Sequence, residues 1–574
     1  MGMSKLHVQT ERIDDIPLLV EQQRQMGIAE IIDSTVARHG NRQGLSMGWM
    51  VVGWLSYILS QSDHRLSYVE EWATQLLTTL NQLMPGDVRP EDFTDDRLGD
   101  ALSHLSDDAV WEQIESQLNQ RCVQVYDLPT NTARVDTTTV ALHHAADNSE
   151  LAAFGHSKDH RPDLAQLKLM MVTLDPLALP LVTQVLPGNM ADDGLYVPAI
   201  RATQATLPQG GMLYVGDSKM EALATRAHCA ATGDYYLHPL SLKGQQRELL
   251  RASIDHVLDS EESLLTDIHD TAGERLLAQG WESSRAQRTE VDGQLLAWQE
   301  RLWLLYSPSL AAAGYRALDE RIDQATAALL ALTPQPGRGR RQWRDIEALQ
   351  AEAAAILNRY RLTGCLDVRY EAIIGEHHIR KYRDRPPRTE ITTRYRLHVT
   401  PNEQALAAVR HHIGWRLFVT NAPAERLTLT EAVRLYRGGT PTIERLFARL
   451  KGRPLGLRPL FVRRDDALLG LSRLMSLALR VLTLLEFVVH RSLTKEETQL
   501  AGLVPGNPKL ATAHPTTERI LHAFGQLTLS IIELDSQRVA HITPLSPLQL
   551  RILQLLKLSE TLYSDLARLK PISV

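Results

Sequence analysis

The chain has 574 residues, 44% hydrophobic and 23% charged, with a formal net charge of −6. That length exceeds a single core and suggests roughly three or four domains. The acidic balance excludes a polycation, so any nucleic-acid surface is a local patch. Cys122, Cys229 and Cys365 lie far apart and form no C-x-x-C pair. This argues against a disulfide framework or zinc ribbon and suits a reducing compartment.

The opening residues, Met1 to Leu6, hold no apolar run, so no signal peptide is expected, and Leu6 breaks the myristoylation pattern. Residues 1–128 show apolar positions at three- and four-residue spacing and read as a helical accessory region. At 129–132 the pattern changes. Strands are expected at 133–142, 167–174 and 181–186, the last two joined by a breaker-rich turn at Asp175 and Pro176. A helix follows at 192–207, a strand at 212–216, a helix at 220–232 and a strand at 234–238. Three antiparallel strands followed by alternating α/β predict a mixed sheet with helices on its faces. From 241 to 401 helices mix with strands near 301–306, 367–372 and 392–399, which reads as an insertion. The strand at 415–420 resumes the sheet, and residues 493–574 read as a helical tail. The most apolar stretch, 467–490, contains Arg473, Arg480 and Glu486. A charge at a bilayer centre costs roughly 3 kcal/mol, so this predicts a buried helix and no membrane partner.

Three carboxylates stand out. Asp136 lies in the β-branched run Arg134-Val-Asp-Thr-Thr-Thr-Val140. Asp217 ends the apolar run 212–216 and opens a helix, the usual ligand crevice of an α/β sheet; it also suits an N-cap for that helix. Glu444 follows Thr440, a good N-cap, and Pro441, which suits the first helical position, so it is expected in the first turn. Leu446, Phe447 and Leu450 would form that helix's apolar face. From 437 to 464 there are eight Lys/Arg against one acid, Glu444. Such a stripe suits phosphate backbone. Further basic runs occupy 380–388 and 338–344. The pairs His143-His144, His377-His378 and His411-His412 lack zinc spacing, and no phosphate-loop, dinucleotide or nucleophile-elbow motif occurs.

The segment Phe154-Gly-His-Ser-Lys-Asp-His-Arg-Pro-Asp163, running on to Lys168, resembles the stretch after the first catalytic aspartate of bacterial insertion-sequence DDE transposases. Val185-Leu-Pro-Gly-Asn189 resembles their next landmark. The run from Tyr436 to Lys451, continuing through 459–464, resembles their glutamate signature, named Y-R-E-K for its residues. The departures are that Gly439 stands where the signature has Arg, and that Glu444 falls eight rather than seven after Tyr436.

The resemblance covers roughly 130–490. It implies an α/β fold whose RNase H-like mixed-sheet catalytic core is interrupted by an α+β insertion, with helical N- and C-terminal regions. The expected division is 1–128 accessory (end-binding or dimerisation), 129–240 first segment of the catalytic core, 241–401 insertion, 402–492 second segment of the core and 493–574 C-terminal region. Asp136, Asp217 and Glu444 are implied as catalytic ligands of two Mg²⁺ (or Mn²⁺) ions. Tyr436, Arg437, Arg445, Arg449 and Lys451 are expected to contact DNA. The implied activity is cutting the terminal repeats of an insertion sequence and joining them to target DNA, by a homodimer on double-stranded DNA in the cytoplasm at the nucleoid. The alternatives are a catalytically inactive DNA-binding relative or self-repressor, and an RNase H-like nuclease without strand transfer.

Overall fold

The computed structural model describes residues 6–36, 44–143, 149–260, 264–291, 293–335, 337, 342–381, 386–534 and 537–568. Arg338, Arg340, Arg341 and His144, among the basic and histidine positions noted above, lie outside the described residues.

The chain opens with strand β1 (Leu6–Arg12), then seven helices: α1 (Ile16–Met26), α2 (Ile28–Thr35), α3 (Met47–Gln61), α4 (Val69–Gln75), α5 (Leu77–Leu83), α6 (Asp95–Ser106) and α7 (Asp108–Tyr126). Side-chain caps begin two of them: Ser46 Oγ accepts from Trp49 N, and Asp107 accepts from Val110 N at 3.0 Å.

The sheet region follows with β2 (Thr132–Ala141), β3 (Gln166–Leu174), β4 (Leu179–Pro187), α8 (Tyr196–Thr206), β5 (Leu213–Gly216), α9 (Leu223–Ala231) and β6 (Tyr235–Pro239). Next come α10 (Gly244–Leu258), β7 (Thr266–His269), β8 (Leu276–Val291) and β9 (Gln294–Tyr306). Then come α11 (Pro308–Ala331), α12 (Ile346–Arg359), β10 (Leu366–Ile379), β11 (Arg388–Pro401), α13 (Glu403–His411) and β12 (Trp415–Thr420).

Among the described residues, nine strands form one mixed sheet in the order β4-β3-β2-β5-β6-β12-β9-β8-β7. β2, β3 and β4 are antiparallel, β5 and β6 run parallel to β2, and the remaining neighbours are antiparallel. β3 is buried along its whole length, as a strand covered on both faces must be. Alternate residues feed two cores. Leu213, Val215, Leu237, Trp303, Leu305 and Phe418 pack under Ala432 and Val433. Tyr214, Tyr236, Leu304 and Val419 join the larger core, with Leu250 and Ile254 of α10.

Residues 241–401, expected as one insertion, divide in two. β7, β8 and β9 extend the main sheet. Helices α11 to α13 and the hairpin β10–β11 instead build a third core around Leu318, Leu329, Ile356, Leu366 and Leu406. This unit is inserted between β9 and β12, where Tyr306 and Trp415 are register partners and Ser307 N donates to Gly414 O at 2.9 Å.

The last stretch holds α14 (Leu429–Lys451), α15 (Asp465–Lys495), β13 (Leu500–Ala501), β14 (Ala511–Thr512), α16 (Thr517–His522), β15 (Thr528–Leu534), β16 (Gln537–Ile542) and α17 (Pro547–Leu555). The expectation of a helical C-terminal region is therefore corrected: β15 and β16 pair with each other, and β15 pairs antiparallel with β1, so the N-terminal region is not purely helical either. α15 is long and apolar enough to cross a membrane, yet nearly all of it is buried in protein. Gly470 lies against the Leu102 backbone, where a Cβ would sit 2.2 Å from the carbonyl oxygen. Its charges are internal: Arg480 pairs with Glu115 at 2.7 Å, and Arg473 with Asp108. α15 thus joins the N-terminal helices and the sheet in one core.

Candidate active site

β2 and β5 are parallel, and their last paired residues are Val135 and Gly216. The next residue on each is Asp136 and Asp217. Adjacent strands lie about 4.8 Å apart, so the two aspartates stand side by side, Asp136 midway along β2 and Asp217 just past the end of β5. Burial raises the Asp136 carboxyl above its ordinary range; Lys158 and the Thr137 N–H oppose this, and the negative charge of Asp217 adds to it.

Each aspartate is held by one oxygen. Asp217 Oδ1 accepts from Tyr196 OH at 2.7 Å and from Lys219 N at 2.9 Å, so it also caps the short turn Ser218–Glu221. Burial, then Asp217, pushes the Tyr196 phenol far above its usual range. Asp136 Oδ1 accepts from Thr137 N at 2.7 Å and lies 3.4 Å from Lys158 Nζ, which also reaches Thr137 Oγ1 at 2.9 Å. Two neighbouring carboxylates suit a hard divalent cation. Among the described residues, however, no three His, Cys, Asp or Glu side chains converge as a metal-holding group. Glu444 is exposed and does not complete such a group with the aspartates.

The helix bearing Glu444 starts earlier than expected. Thr428 and Glu431 form a reciprocal capping box, and Pro441 lies inside α14, so Glu444 belongs to its middle and not its first turn. Contacts with neighbouring strands override the local start signal. Arg134 on β2, paired with Asp175 at 2.6 Å, donates to Leu435 O at 2.5 Å. A Cβ at Gly439 would lie 1.8 Å from Arg134 Nη2, so a larger residue there has to displace that guanidinium. At the far end Lys451 Nζ is 3.4 Å from Thr139 O. The helix rises about 18 Å from Gly439 to Lys451, and the strand about 17 Å from Arg134 to Thr139. The two run alongside each other, and the turn containing Glu444 is level with Asp136.

The basic stripe is largely spent within the protein. Arg445 pairs with Glu486 at 2.5 Å, and Arg449 with Glu486 and, at 2.7 Å, Glu518. Arg449 is buried, so its expected DNA contact is corrected to a structural ion pair with α15 and α16. Lys451 Nζ lies 2.8 Å and Arg458 Nη1 2.9 Å from Asp159. Arg437 donates to Ser307 Oγ at 2.5 Å and borders an apolar cavity of about 380 Å³. Tyr436 packs edge-on against Phe418 at 4.9 Å, and its phenol is raised by burial and by the charges of Asp217 and Asp136.

Tyr196, Lys158, Asp159 and Arg134 were not singled out from sequence. Lys158 and Asp159 lie inside a recognisable motif segment, but spacing does not show that their charges turn inward. The two motif segments meet: a Cβ on Gly155 would lie 2.4 Å from Gly188 O, and Gln166 Nε2 donates to both His156 O and Gly188 O at 3.1 and 3.0 Å.

A family model described as a domain of unknown function (DUF4277) matches residues 8–116. No curated protein matches the chain. Among solved structures, a piggyBac transposase synaptic complex with hairpin DNA is similar at a TM-score of 0.35 and 9% identity, covering 99% of this chain and 88% of that one. A likeness that faint carries no argument about this chain.

Proposed function

We propose that the chain is the DNA transposase of an insertion sequence, with an RNase H-like core that cuts element ends and joins them to target DNA. The observation that carries this reading is that Asp136 and Asp217 each directly follow the last register pair of the parallel strands β2 and β5, in a chain whose segments 154–168 and 436–451 resemble those of DDE transposases. Asp136 and Asp217 would hold Mg²⁺ or Mn²⁺, which supplies charge neutralisation at the reacting phosphate and a more acidic water. Glu444 is the proposed third ligand, supported by the parallel course of α14 and β2 beside Asp136.

Tyr196 and Lys219 N fix the Asp217 carboxylate, so it need not reorganise when the phosphate arrives. Lys451 holds the backbone. Water attacks phosphorus in line, the P–O3′ bond breaks and a 3′-hydroxyl is freed; that hydroxyl then attacks a target phosphate and displaces its own 3′ oxygen. Catalysis is mostly positioning and charge compensation. A homodimer would hold two ends, with residues 1–128 in end binding or protomer pairing, acting at the nucleoid in the cytoplasm.

The test uses duplexes carrying the DNA that flanks the gene, with Mg²⁺. Cleavage followed by joining supports the proposal. Binding without cleavage would make the chain an inactive relative or self-repressor, and cleavage without joining a nuclease.

A further inference from the structure

Asp159 sits between two cations. Its Oδ1 accepts from Lys451 Nζ at 2.8 Å, and Arg458 Nη1 is 2.9 Å from Oδ2. Oδ2 is buried and accepts no aligned hydrogen bond, so Arg458 holds it by charge alone. The residues on either side, Lys158 and His160, are exposed. The turn is anchored at Ser157, whose Oγ accepts from the Asp159 and Arg161 N–H groups at 3.3 and 3.2 Å. Lys451 also lies against Thr139, on the strand that carries Asp136. A carboxylate and a phosphodiester each present one negative charge on two terminal oxygens, and an ammonium beside a guanidinium accepts either.

We propose that Lys451 and Arg458 form a subsite for one DNA backbone phosphate, and that Asp159 is its resident anion in the free protein, displaced when the backbone enters. This rests on the DNA-acting reading above. It adds Arg458 and Asp159 to the site and makes DNA binding a competition between an internal anion and an external one. Entry needs the Asp159 carboxylate to swing away from the two cations, which a change of its side-chain rotamer achieves while the backbone of the turn stays tied to Ser157 Oγ and, through Lys158 N, to Thr139 Oγ1. The internal anion also keeps two cations from standing unpaired near the aspartates before DNA arrives.

The test is binding of a random-sequence duplex to the full chain across a salt series. Asp159→Asn and Asp159→Ala should bind at least about threefold tighter at low salt, with a salt slope steeper by up to ~0.9, one phosphate's share of counterion release. Asp163→Asn, which removes a surface partner of Arg161 on the same segment, should leave binding unchanged. The tightening should vanish when Lys451→Ala and Arg458→Gln are also present. Persistence there would show a general charge effect and overturn the proposal. If Lys451→Ala weakens binding but neither Asp159 variant tightens it, the resident anion is refuted and the DNA-acting reading stands. If none of these variants alters binding, both the subsite and a DNA-facing role for this surface fall. Unfolding midpoints of the Asp159 variants, read in parallel, identify any loss of folded protein, and the isosteric Asn variant then decides.

Discussion

At Gly439, one of the two departures from the signature, the structure shows what occupies the space. The space where an arginine side chain would begin is filled by the Arg134 guanidinium, itself tied to the buried Asp175. Gly439→Ala should destabilise the fold by about 2–3 kcal/mol, as overpacking beside a buried ion pair does. Denaturant midpoints measure it, and an unchanged midpoint would show that Arg134 yields freely. The carboxylates make a second prediction. Asp136→Asn, Asp217→Asn and Glu444→Gln should each abolish metal-dependent cleavage while keeping the native unfolding midpoint; cleavage retained by one of them removes that residue from the site. His238 sets a pH dependence. Its ring is buried, Nδ1 donates to Pro239 O at 3.1 Å, and burial lowers its pKa from 6.5 to about 4. Between those values the unfolded chain binds a proton that the fold rejects, so stability is present above pH 6.5 and lost on acidification. The loss is about 2 kcal/mol by pH 5. Asp15, raised to about 6 by burial, works in the opposite sense over part of that window, since its protonated form suits the fold. Urea midpoints at pH 7 and 5 should therefore fall less in His238→Asn than in the wild type.

α14 shows what local signals hide. Thr440 followed by Pro441 reads as a helix start, yet the helix runs through both. Arg134 and Arg449, bonded to residues remote in sequence, hold it in place. An interior proline forgoes a backbone hydrogen bond, so Pro441→Ala should stabilise the protein by about 1–3 kcal/mol in thermal unfolding. No gain would mean that packing already absorbs the defect. The core strands β2 to β6 were legible because breakers bound short apolar runs, with Asp217 where one run ends and Asp136 inside another. Other elements were not. The distal halves of β8 and β9 alternate between exposed and half-buried residues without a fully apolar face, and β15 finds its partner across most of the chain. Ion pairs such as Arg480 with Glu115 leave no periodic trace at all, and the same is true of the carboxylates that consume the basic stripe.

For the whole molecule, the helical N-terminal region and the inserted unit differ in how they are joined to the rest. Residues 308–413 enclose a core of their own and leave and re-enter at paired positions of β9 and β12. Replacing them with a two-residue Asn-Gly hairpin turn should leave a soluble protein with its sheet intact by circular dichroism. Aggregation of that variant would show that α11 belongs to the main fold. Deleting residues 1–128 should have the opposite result, because Arg480 and Arg473 lose their carboxylates and the apolar face of α15 loses its cover. The pairing of Leu6 with Leu534 has its own bearing on biosynthesis. Closing so long a ring costs little more than closing a short one, because the entropy grows only with the logarithm of length. Time is the harder constraint. The first seven helices leave the ribosome well before α15, by on the order of 20–70 s at elongation rates of ~5–20 residues per second. For that interval the apolar surfaces that pack on α15 are uncovered, and β1 lacks its neighbour β15. Soluble yield should therefore fall when holding chaperones are depleted, which expression in a depleted strain would measure.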